Sequence, residues 1–482
     1  MEKRLNKDQE AALNIMLKGV NCFLTGEAGT GKTFLTSTFI GLMQQAEKNM
    51  IICAPTGAAA LRIEEAAKQD RGIDVDAYTI HRAFKLVKKD IFELNGRKPH
   101  KELIAADIVI IDEISMCRID LFEYIMNEIK KADDIRNRDE ARLARKEDRE
   151  PVQKDIQVIV CGDFYQLEPV LGKRERELFR NKYGTKLYAF ESKAWKDAGF
   201  ANLILREPVR TGSDLQFSNH LNLLRSMKDE DKLLDIVDWF DMNTQRERFE
   251  GNEAVSVCGK NATASAINEA RLSKLDSDML YSQAILTGDA KIDDSNAEDN
   301  LYFKVGSRVM MLVNGSGYVN GEFGTIVGFD EDEEEVRIAL DGKRRITVSK
   351  YTWTVTKPVV KQERKTRKDP DGFPVLDDNG NPVIDIVEKI DSEQIGSVKQ
   401  YPFKLGYAFT IHKSQGMTLG QVNFKPEIFA FGQLYVALSR VHSAKDIYID
   451  GVLPFPCKTT SRKVIDFYHG IDKHSHNSMR YA

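Results

Sequence analysis

The sequence predicts an α/β chain with two parallel-sheet domains, the second interrupted by a small β-barrel. Three features of the chain predict this. The apolar run 20–24 opens into Gly26-Glu27-Ala28-Gly29-Thr30-Gly31-Lys32-Thr33 and then into the helix-like run 34–40. Short apolar runs at 50–54, 106–111, 156–161 and 254–258 end in polar segments and alternate with helical patterns, the alternation of strand-and-crossover units. Between 305 and 400 the pattern changes to close-set alternating strands with Gly and Asn turns.

With 482 residues, of which 42% are hydrophobic and 30% charged, the chain exceeds what one core supports, since single cores stop growing near roughly 250–300 residues. No run of about 18 apolar residues exists and the first ten residues lack a signal-peptide core, so no membrane partner is expected. The location to expect is the cytoplasm in a bacterium or phage, and the nucleus or mitochondrion in a eukaryote. Six cysteines stand singly with no C-x-x-C pair, which predicts buried reduced thiols and neither disulfides nor zinc. A net charge of −4 gives no basic footprint for nucleic acid. Overall charge does not exclude a locally basic groove combined with base stacking.

Before the glycine-rich loop, residues 5–16 read as a capped amphipathic helix carrying Gln9, whose amide has the donor and acceptor needed to read an adenine edge. The loop itself matches G-x-x-x-x-G-K-[ST] between a strand and a helix. Gly26, Ala28, Gly29, Thr30 and Gly31 let backbone N–H groups turn toward phosphate oxygens. Lys32 reaches the β- and γ-phosphates, the Thr33 hydroxyl suits Mg²⁺, and the helix start adds its positive dipole end. A nucleoside triphosphate with Mg²⁺ is therefore the expected ligand.

The strand 50–54 runs into Pro55-Thr56-Gly57, where a small-residue helix opens, and Tyr78-Thr79-Ile80-His81-Arg82-Ala83-Phe84 mixes groups that contact phosphates or stack on bases. Strand 106–111 ends in Asp112-Glu113; beside a phosphate loop the first acid holds Mg²⁺ and the second polarises an attacking water. The run 131–155 carries both charge signs and reads as a solvated helical surface. Gln166 follows the strand at 156–161, at the sheet's carboxyl end, where it can sense a γ-phosphate. A further strand at 201–205 leads to Arg206-Glu207-Pro208-Val209-Arg210. After the barrel, in which 361–368 reads as a mobile basic loop and 378–381 as a hairpin turn, Thr410-Ile411-His412-Lys413-Ser414-Gln415 closes a strand. The helix 431–440 then presents Arg440 near its end, either as a cap or as a cation reaching across a cleft.

In order, GEAGTGKT, APTGAAA, TIHRAF, IIDEISM, GDFYQLEPV, the Arg210 segment, VNGEFGTIVG, TIHKSQGMTL and QLYVALSR make the chain resemble the petite-integration-frequency (PIF) family of DNA helicases. That family lies in subfamily B of helicase superfamily 1, near the RecD-like and Dda helicases. The resemblance spans about 5–450. The runs 131–155 and 361–398 have no counterpart, and Arg210-Thr211 stands where the family more often has Arg-Gln.

The resemblance implies two RecA-like domains with ATP between them and an SH3-like barrel in the second. The first would span 1–210, with a wedge-type insertion near 82–104; the second 211–304 and 400–482; the barrel 305–399. It implies that Gln9 reads adenine, that Lys32, Thr33 and Asp112 hold phosphate and Mg²⁺, and that Glu113 activates water. Gln166, Arg210 and Arg440 would close on the γ-phosphate, with Gln415 coupling that site to DNA. Pro55, Thr56, His81, Phe84, Thr410, His412 and Lys413 would line a single-strand channel. It further implies 5′-to-3′ translocation by a monomer on single-stranded DNA, and unwinding of tailed or forked duplexes in replication, repair or recombination. Two other functions are compatible with a phosphate loop. A small-molecule phosphotransferase needs one α/β domain and an acceptor pocket; a translocase subunit of a nuclease complex keeps the fold and makes unwinding secondary.

Overall fold

The computed structural model describes residues 4–27, 29–86, 99–172, 175–207, 214–227, 229–251, 254–342, 344–367, 374–377, 380–454 and 460–478. Ala28 and Arg210, the greater part of the expected wedge insertion, and two residues of the 378–381 turn lie outside the described residues.

The first sheet is built from β1 (Cys22–Gly26), β2 (Met50–Ala54), β3 (Ala77–Thr79), β4 (Ile108–Ile111), β5 (Gln157–Cys161) and β6 (Ala201–Leu205). Its order is β3-β2-β4-β5-β1-β6, with every pairing parallel. Alternate residues serve two cores. Phe23, Ile51, Val109, Ile111, Val158 and Val160 face one, while Cys22, Leu24, Ile52, Ile108, Ile110 and Ile159 face the other. Burial on both faces is why these strands read as unbroken apolar runs. The topology brings the carboxyl ends of β1, β4 and β5 side by side, so Gly26–Thr33, Asp112–Glu113 and the 162–168 loop share one edge.

The second parallel sheet has the order Ala408–Thr410, Ala254–Cys258, Gln421–Phe424, Ile447–Ile449. Its core takes in Phe217, Leu221 and Leu224 of the helix Leu215–Ser226, and Leu434 to Leu438 of the helix Gln433–Leu438. Between these strands lies a five-stranded antiparallel sheet, Arg345–Val348, Glu335–Leu340, Phe323–Asp330, Arg308–Met311 and Phe403–Leu405, with its own core around Phe303, Ile326, Ile338 and Phe403. Among the described residues no helix is long and apolar enough to cross a membrane.

Two expectations are corrected. The basic run 361–368 is not a loop over its described part: the strand Tyr351–Thr366 pairs along its length with Ile384–Gln400. Its cations pair with acids of the partner strand, Lys357 with the directly opposite Glu393 at 3.1 Å and Lys361 diagonally with Asp391, with Arg367–Asp385 at 2.8 Å just beyond. Charge matching across the strands, rather than apolar alternation, holds this arm. It reaches the first domain, where Tyr78 Oη and Ser392 Oγ are 2.8 Å apart and Lys365 pairs with Glu47 at 2.7 Å.

The C-terminal helix Arg462–Ser478, expected with the second domain, packs on the first. Val464, Ile465, Tyr468 and Ile471 enter the core behind β1, and the Phe467 ring lies 4.3 Å from that of Phe190. Its amphipathic stripe requires a buried face, and the aromatic cluster of Phe164, Phe190 and Trp195 supplies one.

Candidate nucleotide site and interdomain cleft

The phosphate loop is set by backbone geometry. Gly31, at φ +76°, forms the N-cap of the helix Lys32–Gln45 without a side-chain cap, leaving the first N–H groups directed outward. Lys32 Nζ donates to the carbonyls of Gly26 at 2.9 Å and Glu27 at 3.0 Å, and burial lowers its pKa below the usual lysine range. Thr30 Oγ1 donates to the Glu27 carbonyl at 2.9 Å. Gln9 is buried. Its Oε1 accepts from Asn6 N at 3.0 Å, completing a capping box with Asn6, and its Nε2 donates to the Thr30 carbonyl at 3.0 Å. The amide thus ties the first helix to the loop.

Asp112 and Glu113 follow β4 directly. Burial, and then the neighbouring Glu113 charge, push the Asp112 carboxyl up to about 7, while its Oδ1 accepts from Glu113 N at 2.9 Å. The half-buried Asp112 carboxyl and the Thr33 hydroxyl line the same cleft, and both are hard oxygen donors of the kind Mg²⁺ takes, a cation there favouring the ionised form that burial opposes. Glu113 has φ +49°, ψ +44°, a left-handed conformation that costs a non-glycine residue of the order of 1–2 kcal/mol. The turn aims its side chain across the domain boundary. Gln415 Nε2 donates to Glu113 Oε2 at 3.0 Å and to Gln166 Oε1 at 3.0 Å, with Gln415 only 3% exposed. Three residues chosen from separate motifs therefore meet at one point.

Two glycines allow the second domain to approach this closely. A Cβ on Gly432, at φ +78°, would stand 1.9 Å from the Gln166 carbonyl oxygen. One on Gly416, at φ +77°, would stand 2.0 Å from Arg62 Nη1.

Arg440 is 5% exposed and its guanidinium is held within its own domain. Nε donates to the Val436 carbonyl at 2.7 Å, Nη1 to the carbonyls of Ser414 at 3.2 Å and Met417 at 3.1 Å, and Nη2 to Ser439 Oγ at 2.8 Å. It braces the Gln415 loop.

Of the residues expected on the single strand, Thr56, His412 and Lys413 line a cleft of about 780 Å³ together with Thr33, Asp112, Glu113 and Gln415. Thr56 and Thr410 act as N-caps, accepting from Ala59 N at 3.2 Å and Lys413 N at 3.3 Å. Burial lowers the His412 pKa, favouring the neutral ring. Pro55, His81 and Phe84 are not among the cleft's lining residues. Phe84 is a correction: at 3% exposure it belongs to the first core, its ring edge-on to His100, and offers no face for a base.

Sequence reasoning missed Arg62 and Lys404, which join Lys413 on the cleft wall, and Arg225, which faces the phosphate loop. Lys404 is pushed down to about 8 by burial first and then by Lys413, with its ammonium 4.7 Å from the Phe409 ring centre. Each stands alone in its segment, and a lone cation in a strand or at a helix end reads as a solvated residue or a cap. The DFYQ segment held the other missed signal: Asp163, 1% exposed, accepts from Arg225 Nη1 at 3.0 Å.

A phosphate loop and an acidic pair on one parallel sheet, bridged by a glutamine from a second, define a two-domain phosphate-loop nucleoside triphosphatase. Residues 9–171 match the AAA domain model. The chain is 29% identical over 456 residues to the ATP-dependent DNA helicase Pif1 of Campylobacter jejuni, covering 89% of this chain and 88% of that one. It is 30% identical over 486 residues to the protein of the same name from Psychrobacter sp., covering 92% and 68%. It is similar to the crystal structure of a Bacteroides sp. Pif1 in complex with ADP-AlF4, with a TM-score of 0.73, 26% identity and 98% of both chains covered. The chain belongs to the Pif1 family of ATP-dependent DNA helicases.

Proposed function

We propose that this chain is an ATP-dependent DNA helicase that holds single-stranded DNA in the cleft between its two parallel-sheet domains and unwinds duplex ahead of it from a 5′ tail, acting as a monomer. The observation that carries this reading is the Gln415 amide bridging Glu113 and Gln166, because it joins the water-activating acid to the second domain's strand-facing loop. Lys32 would hold the β- and γ-phosphates, and Thr33 with Asp112 would hold Mg²⁺, which when bound neutralises charge on the phosphates. Glu113 would take the proton of the attacking water. Phosphoryl transfer depends mainly on positioning and charge neutralisation, so hydrolysis requires the domains to be together. Loss of the γ-phosphate removes the contacts that favour closure, and the cleft reopens. Base stacking contributes about 1–3 kcal/mol per base without regard to sequence, which suits a stepping motor.

The test is ATP turnover with and without single-stranded DNA, paired with unwinding of partial duplexes bearing a 5′ or a 3′ tail. Strong stimulation with unwinding from the 5′ tail alone is expected. Stimulation without unwinding would point to a translocase subunit, and no stimulation would end the motor reading.

A further inference from the structure

The helix Leu215–Ser226 is anchored in the second core, yet its other face meets the phosphate loop of the first domain. Asn222 Nδ2 donates to Glu27 Oε2 at 2.6 Å. One turn on, Arg225 is ordered from every side. Nη1 donates to Asp163 Oδ2 at 3.0 Å and Nη2 lies 3.8 Å from Glu27 Oε1. The guanidinium carbon sits 4.8 Å from the Tyr165 ring centre and 5.8 Å from that of Tyr435. The Arg225 carbonyl accepts from Thr460 Oγ1 at 2.6 Å. Its side chain is 12% exposed.

Glu27 is thereby approached by two cations from two domains. Lys32 Nζ donates to its carbonyl at 3.0 Å, and Arg225 faces its carboxylate. Arg225 is also among the charges that act directly on Lys32. A phosphate drawn to Lys32 would share the loop with a guanidinium that is already largely desolvated, 4.8 and 5.8 Å from two ring centres and anchored to Asp163 through Nη1. Such a group loses little freedom on engaging an anion.

We propose that Arg225 is a nucleotide-site residue supplied by the second domain. On this reading, which rests on the ATPase assignment above, it exchanges its long contact with Glu27 for the terminal phosphate of bound ATP, while Asp163 keeps hold of its other nitrogen. The helix end then reports the presence of that phosphate to the second core. Arg225 is distinct from Arg210, which lies outside the described residues, and from Arg440, whose guanidinium donates to the carbonyls of Val436, Ser414 and Met417.

The test compares Mg²⁺-dependent binding of a fluorescent ATPγS and of the matching ADP to the full chain and to Arg225→Ala and Arg225→Lys. In Arg225→Ala the affinity for the ATP analogue falls at least ten-fold while that for ADP stays within about two-fold. Arg225→Lys, which keeps the charge and loses the fork, recovers part of the difference. Equal loss for both nucleotides, or an unchanged ATP-to-ADP ratio in folded protein, overturns the proposal, because a purely structural ion pair would not discriminate by the γ-phosphate. Should removal of the arginine leave Asp163 unpaired and the chain misfolded, Arg225→Ala with Asp163→Asn removes both charges, and the same ratio decides. Wild-type turnover lacking DNA stimulation would sink the motor reading and leave this ratio to be judged on its own.

Discussion

Gln415 offers the sharpest perturbation of the domain interface. Its Nε2 makes one hydrogen bond to a carboxylate, Glu113, and one to an amide, Gln166, both at 3.0 Å, from a side chain that is itself buried. A bond to a charged group contributes about 1.5–3 kcal/mol and a neutral one about 0.5–1.5 kcal/mol. Gln415→Leu removes both, so the bridged interface loses roughly 2–4 kcal/mol, a factor of about 30 to 1,000 in its population. DNA-stimulated kcat should fall at least ten-fold, while KM for ATP stays within about three-fold because the phosphate loop is untouched. Unchanged kcat in a folded variant would refute the reasoning.

Gln415→Glu is harsher. It sets a second carboxylate beside Glu113 at about 3 Å, a repulsion of about 5 kcal/mol at an effective dielectric near 20. Two carboxylates so close share a proton, so activity lost at pH 8 should return in part as the pH is lowered toward 6. A variant whose activity deficit is the same at both pH values would show that charge is not the cause.

Three further perturbations test other joints. Gly432→Ala forces a Cβ against the Gln166 carbonyl from a left-handed backbone, so distances between labels on the two domains should lengthen and DNA-stimulated turnover should drop; unaltered distances and rate would refute the close approach. Tyr468→Phe deletes a buried hydroxyl that accepts from Phe164 N at 3.1 Å and lies 2.7 Å from Thr25 Oγ1, at a cost of about 1–3 kcal/mol. The melting temperature should fall by several degrees, and an unchanged melt would free the C-terminal helix from this role. Glu64 is raised from 4.5 to about 7, by burial first, against the opposing Ala77 N–H at 2.7 Å. The folded chain then keeps a proton that the unfolded chain releases, so this group's stabilisation is present below about pH 4.5 and is lost as the pH rises through 7, by about 3 kcal/mol at most. Melts of Glu64→Gln against the parent between pH 5 and 8 should show a flatter pH dependence in the variant.

The phosphate loop, the acidic pair and the two parallel sheets were legible because each couples a local pattern to a place in the fold. An apolar run buried on both faces ends where a parallel strand must end, and chemistry collects at that edge. Gln9 was legible as a helix residue, but its role as a tether to Thr30 depends on a distant carbonyl. Phe84 misled because an aromatic beside an arginine has the same pattern in a core as on a base platform. The outer part of the arm, beyond Val355, was hidden because its paired strands carry lysines and acids where apolar residues would alternate. An amphipathic stripe says that the helix Arg462–Ser478 buries one face, and carries no information on which domain receives it.

Where that helix lands decides how the two domains can part. The chain passes from the first domain to the second just before Leu215–Ser226, and returns to it just before Arg462–Ser478. These two crossings are tied together by Thr460, which donates to the Arg225 carbonyl, and the second is fixed to the first domain by Tyr468 stacked on Tyr165, with ring centres 4.4 Å apart. On this side the two chain crossings limit separation, which would also break the Arg225–Asp163 ion pair and uncover the Tyr165 ring from the Arg225 guanidinium. Across the cleft the contacts are of another kind: Gln415 on Glu113, Asn320 Nδ2 on Glu65 at 2.6 Å, and Gln69 near Asn314 at 3.4 Å. These are polar bonds that water can replace, the two to carboxylates contributing about 1.5–3 kcal/mol each and the amide pair about 0.5–1.5 kcal/mol. Opening is therefore easiest on the side that holds Lys413, His412 and the cleft, and hardest beside Arg225, so a change of partner at that arginine acts close to the pivot, where a small shift becomes a large one at the cleft mouth.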